Sequence, residues 1–251
     1  MAKITVRGVV LGEGRCKIIA PIMAATAAQA EAQARGFRGG PADIAELRLD
    51  PLLAAGAAEA DAALATVRRA LGPLPLLVTV RTAAEGGEAA LTEEDYQQLL
   101  LHIIAGGQAD LLDIEAARRD SDALLAAAHA ANLPVIFSRH EFSRTPPVEE
   151  MVRVLCEMGQ RGADLAKLAV MPADKADAAR LLLATAQAAA AMPGLPLITM
   201  AMGATGLVTR LCGGAFGSAA SFGVIGAGSA PGQPAADALR RVVEDGVRAG
   251  L

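Results

Sequence analysis

No tryptophan occurs among the 251 residues, and one tyrosine and five phenylalanines bring the aromatic content to only 2%. The core must therefore be built from Ala, Leu, Val, Ile and Met, within an apolar fraction of 53%. A chain of this length buries enough such surface to fold without cross-links or metal. Cysteine is scarce as well. Cys16, Cys156 and Cys212 are odd in number, scattered and free of any Cys-x-x-Cys pair. Neither a disulfide framework nor a zinc site is signalled, and a reducing, cytoplasmic setting is expected. There is no basic excess: Lys plus Arg is 23 against 27 for Asp plus Glu, a net charge of −4. Without a basic footprint or stacking rings, nucleic acid is not an expected partner.

Long apolar runs are missing too. The uncharged stretches 181–209 and 211–236 are broken, the first by Pro193-Gly194-Leu195-Pro196 and the second by Gly and Ser. Neither offers the roughly 20 continuous apolar residues that span lipid, so no membrane association is expected. Lys3 and Arg7 lead into Gly and Glu rather than the apolar segment of a signal peptide.

What is present is an alternation of short apolar runs with longer Ala/Leu runs carrying charges at helical spacing. After a hairpin strand at 4–10, strands are expected at 17–23, 43–49, 76–81, 110–115, 135–140, 165–170, 197–202 and 221–225. Helices are expected at 25–35, 58–71, 93–106, 120–131, 148–160, 173–191, 206–213 and 235–249. This pattern reads as one domain over 1–251, a (β/α)8 barrel with an N-terminal hairpin closing its bottom. An open doubly wound sheet is the alternative. It would carry a Gly-rich first turn, whereas Gly226-Ala227-Gly228 follows the last strand and lacks the G-x-G-x-x-G spacing.

Barrel chemistry sits at the C-terminal ends of the strands. Ionisable residues there, where an inert strand would carry Val or Leu, are the candidates. Glu46, Arg48 and Asp50 alternate with Leu47 and Leu49 and share one face; an exposed edge strand would show the same pattern. Arg81 closes the next strand, before Glu85-Gly86-Gly87, and offers a planar fork to oxygens. His140 ends Val135-Ile136-Phe137-Ser138-Arg139, a fitting post for a general base. His102 and His129 fall in helical patterns. Lys167 is embedded in Leu165-Ala166 and Leu168-Ala169-Val170. Desolvation favours its neutral amine, a nucleophile toward carbonyls, although a lysine reaching out to an ion pair fits the same pattern. Arg210 is the one charge between Arg180 and Asp237, which suits an anion clamp or a rim arginine on a short helix. Ser229 and Gln233 lie on a Gly/Pro loop, either a lid or an ordinary connection. Around one barrel mouth, the three arginines and the lysine imply a small anionic substrate bearing a carbonyl.

Taken together, these segments resemble the type I 3-dehydroquinate dehydratases. The resemblance is carried by Glu46 to Asp50, by Thr79-Val80-Arg81-Thr82 with Glu85-Gly86-Gly87, and by Ser138 to Phe142 with Thr145-Pro146. It continues through Gly162 to Pro172, Met200 to Arg210, and Phe216 through Ser229 to Gln233. The resemblance implies a lyase of the shikimate pathway that makes aromatic amino acids by way of chorismate. Lys167 would form the imine with 3-dehydroquinate, His140 of ordinary pKa would serve as acid and base, and Glu85 would orient it. Glu46, Arg48 and Arg81 would hold ring hydroxyls; Arg210, Ser229 and Gln233 would hold the carboxylate. It implies no metal or cofactor, and a homodimer. The chain departs from the family pattern at Glu141, where Asp is usual, at Gly214, where Glu is frequent, and at Gly226-Ala227-Gly228, where Lys is common. A class I aldolase or a non-catalytic carboxylate-binding barrel would share much of this constellation.

Overall fold

The computed structural model describes residues 3–226 and 228–249. Strands β1 (Ile4–Val6) and β2 (Val9–Leu11) pair antiparallel, so the expected single run at 4–10 is a folded hairpin. Its turn is Arg7-Gly8, both at positive φ, +45° and +84°. This two-residue geometry matches the twist of paired strands.

Eight parallel strands follow: β3 (Lys17–Ile22), β4 (Ile44–Arg48), β5 (Leu76–Thr79), β6 (Leu111–Glu115), β7 (Val135–Glu141), β8 (Leu165–Val170), β9 (Leu197–Ala201) and β10 (Ala220–Phe222). Between and after them come α1 (Ala27–Arg35), α2 (Asp50–Leu53), α3 (Ala57–Leu71), α4 (Glu93–Gly106), α5 (Ser121–Ala130), α6 (Val148–Gln160), α7 (Lys175–Ala191), α8 (Leu207–Cys212) and α9 (Ala236–Arg248). Side-chain caps start three of them: Thr26 accepts from the Gln29 N–H, Thr92 from Asp95 and Asp174 from Asp177. The strand order is sequential, β3 to β9, with β10 beside β3. The edges β9 and β10 meet at a Leu197–Ser218 bridge, where the Ala219 N–H donates to Leu197 O at 2.6 Å. A doubly wound sheet needs a reversal of order, and none is present. The fold is a (β/α)8 barrel.

Two expected strand ends move for visible reasons. The last strand stops at Phe222 rather than 225, because Val224 bridges Ala235 and directs the chain into α9. The second barrel strand stops at Arg48; Pro51 favours a helical start, and Asp50 opens α2. Part of the glycine segment, Ala227, lies outside the described residues.

Period-two alternation sorts the strand residues into two layers. Outward residues such as Ala45, Leu47, Leu76, Val78, Leu112 and Val135 pack under the helices. Inward residues at the N-terminal ends are apolar: Ile19, Ile44, Leu77, Leu111, Ile136, Leu165 and Ile198 form one cluster with Val6 and Leu11 of the hairpin. The hairpin is therefore the floor of the barrel, as the sequence led us to expect. A repeated device ties strand pairs together at this end. Asp43, Asp110 and Asp164, each just before an even-numbered strand, accept the backbone N–H of Ile18, Leu76 and Val135 on the preceding strand, at 2.8, 2.9 and 2.8 Å.

Leu11 is fully buried in this floor. Leu11→Ala should lower stability by about 2–5 kcal/mol in urea unfolding while leaving the turnover of the folded fraction near native. An unchanged midpoint would show that the hairpin contributes nothing to the barrel.

Candidate active site

Above the floor the inward positions turn polar. Glu46, Thr79, Asp113, Ser138 and Lys167 come next along their strands, and Arg48, Glu115 and His140 lie nearer the mouth. Of these, Glu46, Arg48, His140 and Lys167 line a cavity at the mouth. Its lining includes every residue singled out from the sequence as catalytic or substrate-binding: Glu46, Arg48, Arg81, Glu85, His140, Lys167, Arg210, Ser229 and Gln233. Asp50, which shares their sequence pattern, does not line it. Its carboxylate instead grips Arg48 through two bonds of 2.7 and 2.6 Å.

Arg81 is the hub. β5 ends at Thr79, and the chain then makes a 3-10 turn, Ala83–Glu85, that swings the Glu85 carboxylate back toward the arginine. The NH1 of Arg81 donates to Glu85, Glu115 and Ser138 at 3.2, 3.1 and 3.0 Å. Its NH2 donates to Asp113 at 2.7 Å. Burial opposes the guanidinium charge, but the carboxylates of Asp113, Glu85 and Glu115 outweigh it and raise its pKa.

Lys167 is 4% exposed, and its Nζ lies 3.0 Å from Asp113 Oδ2 and 4.8 Å from the centre of the Phe222 ring. The contact with Asp113 is the ion-pair geometry that the sequence left open beside the neutral amine. Burial would raise the Asp113 carboxyl, yet the charges of Arg81 and Lys167 and the hydrogen bonds of Ser138 and Lys167 hold it at about 2.

His140 Nδ1 lies 2.8 Å from Glu85 Oε2, the contact expected of an orienting carboxylate. Its pKa is not ordinary. Burial lowers it first, followed by the charges of Arg81, Lys167, Arg48 and Arg210. Burial together with Glu115 and Asp113 pushes Glu85 up to about 8, against the pull of Arg81. At neutral pH the ring is thus a neutral imidazole beside a proton-bearing carboxyl, ready to accept a proton. Phe142 stacks on the imidazole, with ring centres 6.3 Å apart.

Arg210 differs from the other cations of the cavity. Arg48, Arg81 and Lys167 each have a carboxylate partner. Among the described residues Arg210 has none: NH1 meets Met200 Sδ at 3.3 Å, NH2 meets Pro231 O at 3.4 Å, and the buried Nε has no partner. Burial lowers its pKa to about 10, so it remains cationic at neutral pH. Beside it, Ser229 and Gln233 bond each other, the amide donating to the hydroxyl at 3.1 Å.

Several site residues were missed in the sequence. Asp113 and Glu115 sit in Leu111-Leu112-Asp113-Ile114-Glu115, a period-two acidic pair in an apolar strand. That is the same signal that exposed Glu46 and Arg48. Met200, Met202 and Phe222 line the cavity without any polar signal. Of the departures, Glu141 points away from the site and pairs with Arg139 at 2.6 Å. Gly214 lies against Cys16: a Cβ there would sit 2.9 Å from the Cys16 Cβ, so a larger residue needs that side chain to move.

Residues 18–245 match the family model described as type I 3-dehydroquinase. The 3-dehydroquinate dehydratase of Salmonella agona is 41% identical over 246 residues, 97% of this chain and 98% of that protein. A crystal structure of the type I 3-dehydroquinate dehydratase of Clostridium difficile, covalently modified by comenic acid, superposes with a TM-score of 0.94 at 36% identity, covering 99% and 100% of the two chains. The 3-dehydroquinate dehydratase of Geobacillus kaustophilus gives 0.90 at 34% identity, covering 97% and 95%. A dihydropteroate synthase from Xanthomonas albilineans, at 18% identity and a TM-score of 0.64, shares the fold alone.

Gly86 closes the 3-10 turn at φ +77°, and a Cβ on it would lie 2.2 Å from the Phe142 ring. Gly86→Ala should cost about 1–2 kcal/mol of stability through left-handed backbone strain. It should also lower kcat by dislodging Phe142 from His140. Native kcat in a folded variant would show that the stack is dispensable.

Proposed function

The chain belongs to the type I 3-dehydroquinase family, and from that premise we propose that its barrel converts 3-dehydroquinate to 3-dehydroshikimate and water through an imine on Lys167. This is the third step of the shikimate pathway. The observation that carries the reading is one cavity holding a buried lysine, a neutral histidine and a buried arginine without a carboxylate. Each matches one part of the substrate: ketone, acidic α-carbon and carboxylate.

In this reading Lys167 Nζ adds to the ketone, and loss of water leaves an iminium. That group draws electrons from the α-carbon far better than a ketone does. His140 takes the α-proton, giving an enamine. As the enamine collapses, the β-hydroxyl leaves with the proton that His140 returns to it. Hydrolysis of the conjugated iminium frees the product and Lys167. Glu85 orients the imidazole through Nδ1. Arg210 holds the substrate carboxylate with Ser229 and Gln233, supplying the anion that its guanidinium lacks. Glu46 and Arg48 hold the ring hydroxyls. Arg81, whose terminal nitrogens are engaged within the protein, meets the ring from the wall while fixing the carboxylates around it. No metal or organic cofactor has a task in this sequence.

An aldolase acting on phosphates would need free backbone N–H groups after β9 and β10. Here the Gly203 N–H donates to Pro231 O and the Ser229 N–H to the Gln233 side chain, so both are spent. Among the described residues no helix is long and apolar enough to cross a membrane. We infer that the enzyme works in the cytoplasm, as a homodimer, with no nucleic-acid or membrane partner. The exposed apolar side chains of Val208, Phe216, Val242 and Val247 on and beside α8 and α9 favour self-association.

Borohydride added to a mixture with 3-dehydroquinate should leave a stable adduct on Lys167, read by mass spectrometry of peptides. Lys167→Ala should give no adduct and no turnover, whereas His140→Ala should form the adduct and stall. Turnover by folded Lys167→Ala would end the imine reading. Arg210→Ala should raise KM about tenfold or more, the loss of a charge-assisted bond, and a native KM would remove Arg210 from carboxylate binding.

A further inference from the structure

Asp113 takes no part in the steps above, yet it touches the reacting atom. Among the described residues it is the one hydrogen-bond partner of Lys167 Nζ, through Oδ2 at 3.0 Å. Its other oxygen accepts from the Ser138 hydroxyl at 2.6 Å and from Arg81 at 2.7 Å. The side chain has no exposed surface, so the carboxylate is locked with both oxygens engaged.

Imine formation conserves charge at the nitrogen. An ammonium and a ketone give an iminium and water: R–NH3+ plus O=C yields R–NH+=C plus H2O. A cation stands at the same nitrogen before and after the bond forms. Resting on the imine chemistry at Lys167, we propose that Asp113 is the standing counter-ion of that nitrogen, anionic through the whole cycle, which keeps the imine protonated and therefore an electron sink.

The surroundings make such an anion necessary. The ionisable groups facing the pair are Glu46 and Arg48 on β4, Arg81 just after β5, Glu85 on the turn that follows, Glu115 on β6, His140 on β7 and Arg210 on α8. Glu46 is engaged with Thr79. Glu115 is held by Arg81, by Thr82 and, at the edge, by Arg118. Glu85, whose carboxyl burial pushes up to about 8, is engaged with Arg81 and His140. Without Asp113, an iminium would sit among guanidinium groups with no anion against it and would shed its proton. A neutral imine withdraws electrons poorly. Asp113 is equally unsuited to take the proton that Lys167 must lose before it attacks, because protonation would sacrifice its contacts with two cations. That proton passes to the neutral imidazole of His140, R–NH3+ plus imidazole giving R–NH2 plus imidazolium, and returns to the departing hydroxyl of the carbinolamine.

The test is Asp113→Asn, which keeps the shape and removes the charge. We expect kcat to fall at least about tenfold, with the loss growing as pH rises and the iminium deprotonates. The acid limb of kcat/KM should move to lower pH, because an ammonium without its anion releases its proton more readily. Asp113→Glu restores the charge and should return both limbs toward native even where the rate stays low. A merely structural role would lower the rates without moving either limb. Native limbs with kcat within about twofold of native would overturn the proposal. If Asp113→Asn does not fold, the native enzyme labelled with 15N at the lysine side chains decides. Mixed with substrate, its one imine nitrogen should report the protonated form throughout the neutral range; titration within that range would overturn the proposal. Absence of any imine signal or borohydride adduct in the native enzyme would instead defeat the imine reading itself.

Discussion

The active site is organised around a single buried guanidinium. Arg81 is 3% exposed and holds Asp113 and Glu115 from β6 and Glu85 from the 3-10 turn. Three carboxylates gathered inside a barrel would repel one another and lose their hydration; one cation bonded to all of them makes the cluster stable. From this centre the site branches. Asp113 reaches the nitrogen of Lys167, Glu85 reaches the imidazole of His140, and Glu115 accepts from the Thr82 backbone and hydroxyl at 2.8 and 2.7 Å. Lys167 and His140 thus hang on opposite arms of one arginine, and a displacement of Arg81 would misplace both.

The electrostatic plan is one of saturation with a single exception. Arg48 is closed by Asp50, Arg81 by its three acids and Lys167 by Asp113, so that charge inside the barrel is fixed before any ligand arrives. Among the described residues that line the cavity, Arg210 is the cation without a carboxylate partner. A pocket lined by preorganised charges spends little on rearrangement when charge develops in the substrate. The mildly acidic overall composition therefore says little about the mouth of the barrel, where the selectivity resides.

Much of this was legible in the amino-acid sequence, for physical reasons that differ by residue. The strands were visible because a buried parallel sheet demands runs such as Leu165 to Val170, interrupted at the strand ends by Gly and Pro. Lys167 stood out because no apolar strand tolerates a lysine without cause, and Arg210 because nothing charged lies near it in the chain. Asp113 follows the same logic, but no arginine stands beside it in the strand to mark it. What no pattern could reveal was pairing. That Asp113 serves Lys167 depends on how β6 and β8 face each other across the barrel, not on spacing within one strand. The altered basicity of His140 likewise comes from burial and from the charges of Arg81, Lys167, Arg48 and Arg210, all distant from it in the chain.

The hydrophobic floor shapes the traffic of the enzyme as well as its stability. Val6 and Leu11 cap a ring of aliphatic side chains beneath the polar well, and such a layer offers water no hydrogen-bonded route. The barrel is therefore a blind vessel with one aperture. Substrate, product and water must share the opening lined by the loop of Ser229 and Gln233 and the turn of Gly86. Occupancy by one excludes the arrival of another. Competition between departing product and entering substrate is built into the shape of the chamber, independent of how tightly either is held.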